Sequence, residues 1–267
     1  MPEGPECRKI GKQLAMRVSG RKLKGIEVIK GRYVDRVMSG LESILNDLPT
    51  EIIGSGVHGK FIYFILKDEW SLWNTLGTTG SWSSNRTEHS RVRLILDDGD
   101  IFFNDMRNFG TLKFVQGKYR LVEKLESLGP DMLIDDITDG DFIQRFREYN
   151  HWQITTAMTN QSIISGVGNY LKCDALWMAK INPHRIVKDL SDQELSLLSS
   201  SLKRIMKENF EHDDPIYDSL RPTPEIIGEY KKKYLVYNQK HDSDGNDVVR
   251  ELTQDNKTTH WCPQIQK

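Results

Sequence analysis

Residues 91–103 read Arg-Val-Arg-Leu-Ile-Leu-Asp-Asp-Gly-Asp-Ile-Phe-Phe. In Arg91-Val92-Arg93-Leu94, polar and apolar side chains alternate strictly, the period of a sheet with one wet face. Asp98-Gly99 is a hairpin turn signal, and Ile101–Phe103 is the returning strand. Working outward, Ile26–Ile29, Lys60–Leu66 and Leu112–Val115 also read as short strands. In the second of these, Phe61, Tyr63 and Ile65 are expected to face one side. Several short strands separated by turns within about a hundred residues predict an antiparallel sandwich. Before them, Ile10, Leu14 and Val18 share one face of a helix over residues 5–19, which Gly20 should stop.

After Leu128-Gly129-Pro130 the pattern changes, and residues 126–149 are acidic. Residues 141 to about 212 carry helical periodicity, with Ser191 and Glu194 spaced as a capping box. Pro215, Pro222 and Pro224 mark an irregular connector. Beyond it, Tyr234–Tyr237 reads as a strand, Asp244-Gly245-Asn246 as a turn and Val248-Val249 as β again. The expected class is α+β: a two-layer sandwich over 1–130, a linker over 131–140, a helical domain over 141–225 and a hairpin over 226–267.

Composition limits the function classes. The 267 residues are 37% hydrophobic and 28% charged, as in an ordinary globular chain. The apolar run Phe61–Leu66 is too short to cross a bilayer, and no basic-then-apolar leader opens the chain, so no membrane partner is expected. Three widely spaced cysteines, Cys7, Cys173 and Cys262, argue against a disulfide framework and against a four-cysteine zinc finger. They suit an intracellular reducing compartment, nucleus or cytoplasm. The net charge of −1 speaks against nucleic acid, yet residues 1–36 hold ten basic and four acidic residues, and Lys231-Lys232-Lys233 is a second basic cluster.

The opening Met1-Pro2-Glu3-Gly4-Pro5-Glu6 admits two readings. Pro2 and Pro5 suit the first turn of a helix, where acids are also favoured. Removal of Met1 would instead free the secondary amine of Pro2, a nucleophile toward an aldehydic carbon, with Glu3 beside it to move protons. Asp105-Met106-Arg107-Asn108-Phe109-Gly110 puts an Arg and an aromatic two apart after a strand, able to wedge a duplex or to form a plain surface turn. Gly166-Val167-Gly168-Asn169 could bring backbone N–H groups to a phosphate, with Asn169 capping the next helix, or could simply turn. Lys60 opens a strand after Gly59.

Together these pieces resemble the Fpg/Nei family of bifunctional DNA glycosylases (formamidopyrimidine-DNA glycosylase and endonuclease VIII). The opening with Gly4 looks like the Nei branch, and Asn169-Tyr170-Leu171 is especially similar to zincless endonuclease VIII-like proteins; the Lys-, Asn- and Asp-rich composition would suit a giant-virus member. Leu76–Ser81 and Asp105–Gly110 match the family's void-filling loops, Gly166–Leu171 its helix-two-turn-helix hairpin, and Thr258–Pro263 the last strand of its zinc finger. The resemblance implies a sandwich with a leading helix, then a helix-two-turn-helix domain ending in a zincless β-hairpin finger. DNA would lie across the cleft between the domains.

It implies Pro2, Glu3 and Lys60 as catalytic residues, and Glu6, Thr78, His89, Arg107, Phe109, Asn169, Asp174 and Lys257 as DNA-binding residues. No metal or organic cofactor is expected. The partner would be damaged double-stranded DNA, with single-stranded DNA as a second form, and the protein a monomer. The implied activity is removal of oxidised pyrimidines and over-oxidised guanine through a proline Schiff base and β,δ-elimination. The alternatives are an abasic-site-restricted or catalytically inactive DNA-binding protein of the same fold. Three positions and the finger depart from the family pattern. Lys257 replaces an Arg, Asp174 a Glu and Thr78 a larger apolar wedge, and the finger cysteines are missing.

Overall fold

The computed structural model describes residues 2–213, 217, 220 and 234–267. Lys231–Lys233, Pro215, Pro222, Pro224, Met1 and the expected start of the hairpin at 226–233 lie outside the described residues. Contacts divide the chain into two compact units. One comprises Met1–Pro2, Glu6–Ser127 and Asp213–Tyr230; the other comprises Glu3–Pro5, Leu128–His212 and Lys231–Lys267.

The first unit is an antiparallel sandwich behind a leading helix, α1 (Gly4–Val18), whose Ile10, Leu14 and Val18 are all buried. Its eight strands are β1 (Lys22–Val28), β2 (Thr50–His58), β3 (Phe61–Leu66), β4 (Trp70–Thr75), β5 (Gly80–Ser83), β6 (Ser90–Leu96), β7 (Ile101–Asp105) and β8 (Thr111–Gln116). Their order is β5-β7-β6-β1-β2-β3-β4-β8. β1 and β2 pair only through Lys22↔Glu51 and Leu23↔Thr50, so the strand row bends there into two four-stranded halves. Leu23, Val92, Leu94 and Phe103 from one half meet Ile52, Ile62, Phe64 and Phe114 from the other in one core. Each such side chain contributes about 1.5–3 kcal/mol by leaving water.

The expected strand at 91–96 is β6, and it pairs with β7 in the expected hairpin. In β3 the core face is Ile62, Phe64 and Leu66, one residue out of step with the predicted face. Phe61 and Tyr63 stack at 5.7 Å on the opposite side, where Phe61 also meets Trp73 edge-on. An aromatic cluster on the outer face masks the alternation. Short helices α2 (Arg32–Asp35), α3 (Leu41–Asn46) and α4 (Arg120–Glu126) complete the unit.

The second unit contains α5 (Asp139–Arg147), α6 (Ile154–Thr159), α7 (Asn169–Met178) and α8 (Asp192–Glu211), with a hairpin of β9 (Val249–Leu252) and β10 (Thr258–Trp261). Residues 131–140, read from sequence as a linker, supply Met132 and Ile137 to the helical core. Tyr234–Tyr237 is not a strand. Its main-chain amides at Leu235, Val236 and Tyr237 donate to the Asp174 carboxylate at 3.1, 3.0 and 3.0 Å, which takes the donors a ladder would need. Among the described residues, no helix is long and apolar enough to cross a membrane.

α8 starts as its sequence predicts. Glu194 N donates to Ser191 Oγ at 3.2 Å, and Ser191 N donates to the Glu194 carboxylate at 2.7 Å. Arg185 also pairs with Glu194, and this hydrogen bond, helped by those from Ser191 and opposed by desolvation, holds Glu194 down at about 2. Ser191→Ala should cost about 1 kcal/mol, read as a lower urea midpoint at unchanged slope. Because the folded value lies below the ordinary carboxyl value of about 4.3, the Glu194 contribution is full above that pH. It is lost as pH falls toward about 2. Glu194→Gln should therefore flatten the acid limb of the stability curve.

Candidate active site and nucleic-acid interface

In the second unit the site is built around the N-terminus of α7. A helix leaves its first N–H groups without intrahelical partners, and the aligned peptide dipoles make that end positive. Here the buried Glu3 carboxylate, 1% exposed, fills the position. It accepts from Gly168 N at 2.7 Å, Tyr170 N at 2.9 Å and Leu171 N at 3.2 Å. The expected cap, Asn169, is instead the first helical residue and makes no cap bond. Its amide donates to Thr258 O of β10 at 2.9 Å.

Gly168 is required by this arrangement. A Cβ there would lie 2.3 Å from Glu3 Cδ. The adjacent Gly4 N donates to Gly166 O at 2.8 Å, and a Cβ on Gly4 would meet Met206 Cε at 2.8 Å. Gln161, which the sequence did not single out, spans the turn between α6 and α7. It donates to Thr159 O and Val167 O and accepts from Gly166 N.

The hairpin packs against α7. His260 N donates to Cys173 Sγ at 3.3 Å, and Lys172 Nζ donates to Asp255 at 2.7 Å. Lys257 sits in the hairpin loop. Burial, with Arg250 and Lys172 adding to it, pushes the His260 imidazole down to about 4. Burial pushes the Cys173 and Cys262 thiols up to about 12. Among the described residues no group of three or more His, Cys, Asp or Glu side chains is placed to hold an ion. Asp174 is buried and directs its oxygens at the 235–237 backbone.

In the first unit, Asp105 fastens two loops. It is buried and accepts from Thr79 Oγ1 at 2.5 Å, Arg107 N at 3.2 Å and Gly110 N at 2.6 Å. Gly77, at φ +62°, lies where a Cβ would meet the Phe109 carbonyl carbon at 2.8 Å. Arg91 donates to Asp105 O and Met106 O. Thr78, Arg107 and Phe109 are thus brought onto one rigid pair of turns, the Arg107 guanidinium 4.7 Å from the Phe109 ring centre. Thr78 is half-buried, whereas Met106 is 56% and Phe109 55% exposed. Met106 escaped the sequence reading, although an apolar side chain directly before Arg107 was a visible signal.

His89 is half-buried, its carbonyl accepting from Asp105 N at 2.9 Å and its ring 3.4 Å from Glu88. Lys60 follows Gly59 in the two-residue turn between β2 and β3 and is half-buried. Glu6 is buried in the first turn of α1, and Pro2 is buried immediately before Glu3.

Two family models match the chain. The formamidopyrimidine-DNA glycosylase N-terminal domain matches residues 1–112, and the formamidopyrimidine-DNA glycosylase H2TH domain matches residues 128–219. The formamidopyrimidine-DNA glycosylase of Lactococcus lactis subsp. cremoris is 24% identical over the full length of both chains. That of Mycolicibacterium smegmatis is 29% identical, over 82% of this chain and 80% of its own. Among solved structures, the Lactococcus lactis enzyme bound non-covalently to AP-site DNA superposes with TM-score 0.81 at 24% identity, covering 99% of each chain. The same enzyme with tetrahydrofuran-containing DNA and an inhibitor gives 0.83 at 25% identity over both chains in full. The chain belongs to the formamidopyrimidine-DNA glycosylase family.

The Glu3 clamp makes a sharp test of the site. Gly168→Ala should displace the Glu3 carboxylate and lower damaged-base release at least tenfold, a loss of about 1.4 kcal/mol of transition-state stabilisation. Gly140→Ala, whose Cβ would meet only Thr138 Oγ1 at 3.7 Å, is the control. Equal base-release rates in the two variants would show that the clamp has no catalytic consequence.

Proposed function

We propose that the protein excises oxidised bases from DNA and then cuts the resulting abasic site, using the Pro2 amine as nucleophile. The observation that carries this reading is the position of Pro2 directly ahead of a carboxylate clamped by three main-chain amides. A residue joined to such an anchor has little freedom, and orientation of a nucleophile is a large part of rate enhancement. The DNA complexes of the Lactococcus lactis relative support a damaged-DNA partner.

The glycosidic carbon is inaccessible in a stacked duplex, so the damaged nucleotide must be extruded. The Pro2 lone pair attacks C1′, the C1′–base bond breaks, and the base leaves with a proton. Glu3 assists proton movement as the sugar ring opens to the iminium. The iminium acidifies the C2′ proton. Its loss expels the 3′ phosphate in β-elimination, a second elimination expels the 5′ phosphate, and water releases the sugar remnant from Pro2. Lys60, Asn169 and Lys257 hold phosphates. In the first unit Glu6 and His89 contribute to DNA binding; in the second Asp174 does so by way of the 235–237 segment. Arg107 and Phe109 fill the vacated space. Met106, more exposed than Thr78, supplies the apolar wedge that a threonine is too short to provide.

The Nei-like reading, with oxidised pyrimidines and over-oxidised guanine as substrates and a metal-free hairpin, draws support from Gly4. A Cβ there would lie 3.0 Å from Gly166 Cα and 3.2 Å from Gly166 O, so the backbone leaves little room for a side chain. The domain limits 1–130, 141–225 and 226–267 belong to the same proposal. So do an intracellular location, a monomeric state and acceptance of single-stranded DNA.

The deciding experiment is borohydride trapping. Reduction should give a stable protein–DNA adduct on damaged and on abasic DNA, with the modified peptide beginning at Pro2. Glu3→Gln places an amide N–H₂ against backbone N–H donors, so it should abolish base release while leaving residual cutting of preformed abasic sites. No adduct on either substrate would leave only DNA binding. An adduct at Lys60 would move the nucleophile.

A further inference from the structure

The hairpin loop of the second unit holds a charge arrangement that phosphate binding alone does not require. The Asp255 side chain is 2% exposed and that of Lys172 0% exposed, and their charged atoms lie 2.7 Å apart. Lys257 Nζ lies 3.9 Å from the same Asp255 oxygen, on a side chain that is 42% exposed. The other Asp255 oxygen accepts from Thr253 Oγ1 at 2.6 Å and Lys257 N at 3.3 Å. One carboxylate therefore faces two lysines, one fixed inside the protein and one able to reach solvent.

We propose that Lys172 is a positioning residue that neutralises Asp255 and so keeps the Lys257 ammonium available to a DNA phosphate. With Lys172 in place the three groups carry a net charge of +1, and all of it belongs to the exposed lysine. Without Lys172 the net charge is zero. Lys257, already within 4 Å, closes on a carboxylate from which water is excluded, where attraction is strongest. The hairpin is also docked by uncharged bonds: Gln254 N donates to Gln153 at 2.9 Å, Asn169 donates to Thr258 O at 2.9 Å, and His260 N donates to Cys173 Sγ at 3.3 Å. Burial pushes the Lys172 amine down from its usual value while Asp255 opposes it, which marks a buried cation held by its partner.

The inference rests on the proposed contact of Lys257 with DNA, and the test separates the two. The probe is duplex DNA bearing a tetrahydrofuran abasic analogue, titrated with the full chain at several salt concentrations. Each phosphate neutralised contributes about 0.9 to the slope of log K against log salt. Lys257→Gln should lower the slope by about that amount. Lys172→Met should lower it equally, and the two together should lower it no further. Lys172→Arg, and the pair Lys172→Met with Asp255→Asn, should restore it. Lys172→Gln keeps a hydrogen-bond donor for Asp255 and carries the same expectation should Lys172→Met prove unstable. Acetylation of Lys257 in DNA-free protein, followed by mass spectrometry, should slow several-fold in Lys172→Met and recover in the double variant. If Lys257→Gln lowers the slope and Lys172→Met does not, the positioning role is overturned and the contact stands. If Lys257→Gln changes nothing, the contact is wrong and the role falls with it.

Discussion

A single carboxylate sets the terms for the second unit. Glu3 is remote in sequence from α7, yet it satisfies three of the N–H groups that the start of that helix leaves orphaned. Without it those donors would be buried without acceptors, each at about 1–3 kcal/mol. The same three bonds fix the orientation of the acid next to Pro2. Stability and the proposed chemistry therefore use one group, and neither can be altered alone. The small residues around it follow from this. Gly168 lets the acid approach, and Gly4 lets the chain lie close to the Gly166 backbone and bond to Gly166 O.

The same device recurs. Asp105 joins two loops, Asp174 gathers three amides of 235–237, and Asp255 organises the hairpin loop. In each case a buried acid is compensated by main-chain N–H groups or a buried lysine, as burial of charge requires. This bears on the net charge of −1. Glu3, Glu6, Asp105, Asp131, Asp174 and Asp242 are buried, against Lys9 and Lys172 among the bases. The charge presented to solvent by the described residues is more positive than the formal count. A near-neutral chain can bind a polyanion when its acids are spent inside.

Local signals were legible and tertiary ones were not. The apolar face of α1, the Ser191–Glu194 box and the β6–β7 hairpin depend on near neighbours, and each stands where the sequence puts it. β2 and β4 escaped because Gly54, Gly56 and a run buried on both faces, Trp70–Asn74, break the two-residue period. Tyr234–Tyr237 has strand-forming residues, but Asp174, about sixty positions away, captures its donors. Asn169 is a good capping residue displaced from that task by Glu3. The motifs of the site were visible as residue types. What the sequence could not show is which acid serves which backbone, since no periodicity encodes a side chain reaching a distant amide.

The construction of the two loops in the first unit bears on how such a protein would meet a duplex. Single exposed apolar residues are ordinary and need no explanation. Met106 and Phe109 differ because the turn that carries them is over-determined. Asp105 binds both ends of it, Arg91 holds two of its carbonyls, and Asn108 sits at φ +57°, a left-handed conformation that Asn tolerates. A mobile loop could fold its apolar side chains back onto the protein, whereas this one holds them out, with the Arg107 guanidinium 4.7 Å from the Phe109 ring. Wedging between bases costs a few kcal/mol of unstacking per step. Ordering a loop at the same moment would add about 1–2 kcal/mol of backbone entropy per residue. A turn rigid before contact avoids that second cost, so the binding energy can go into opening the stack.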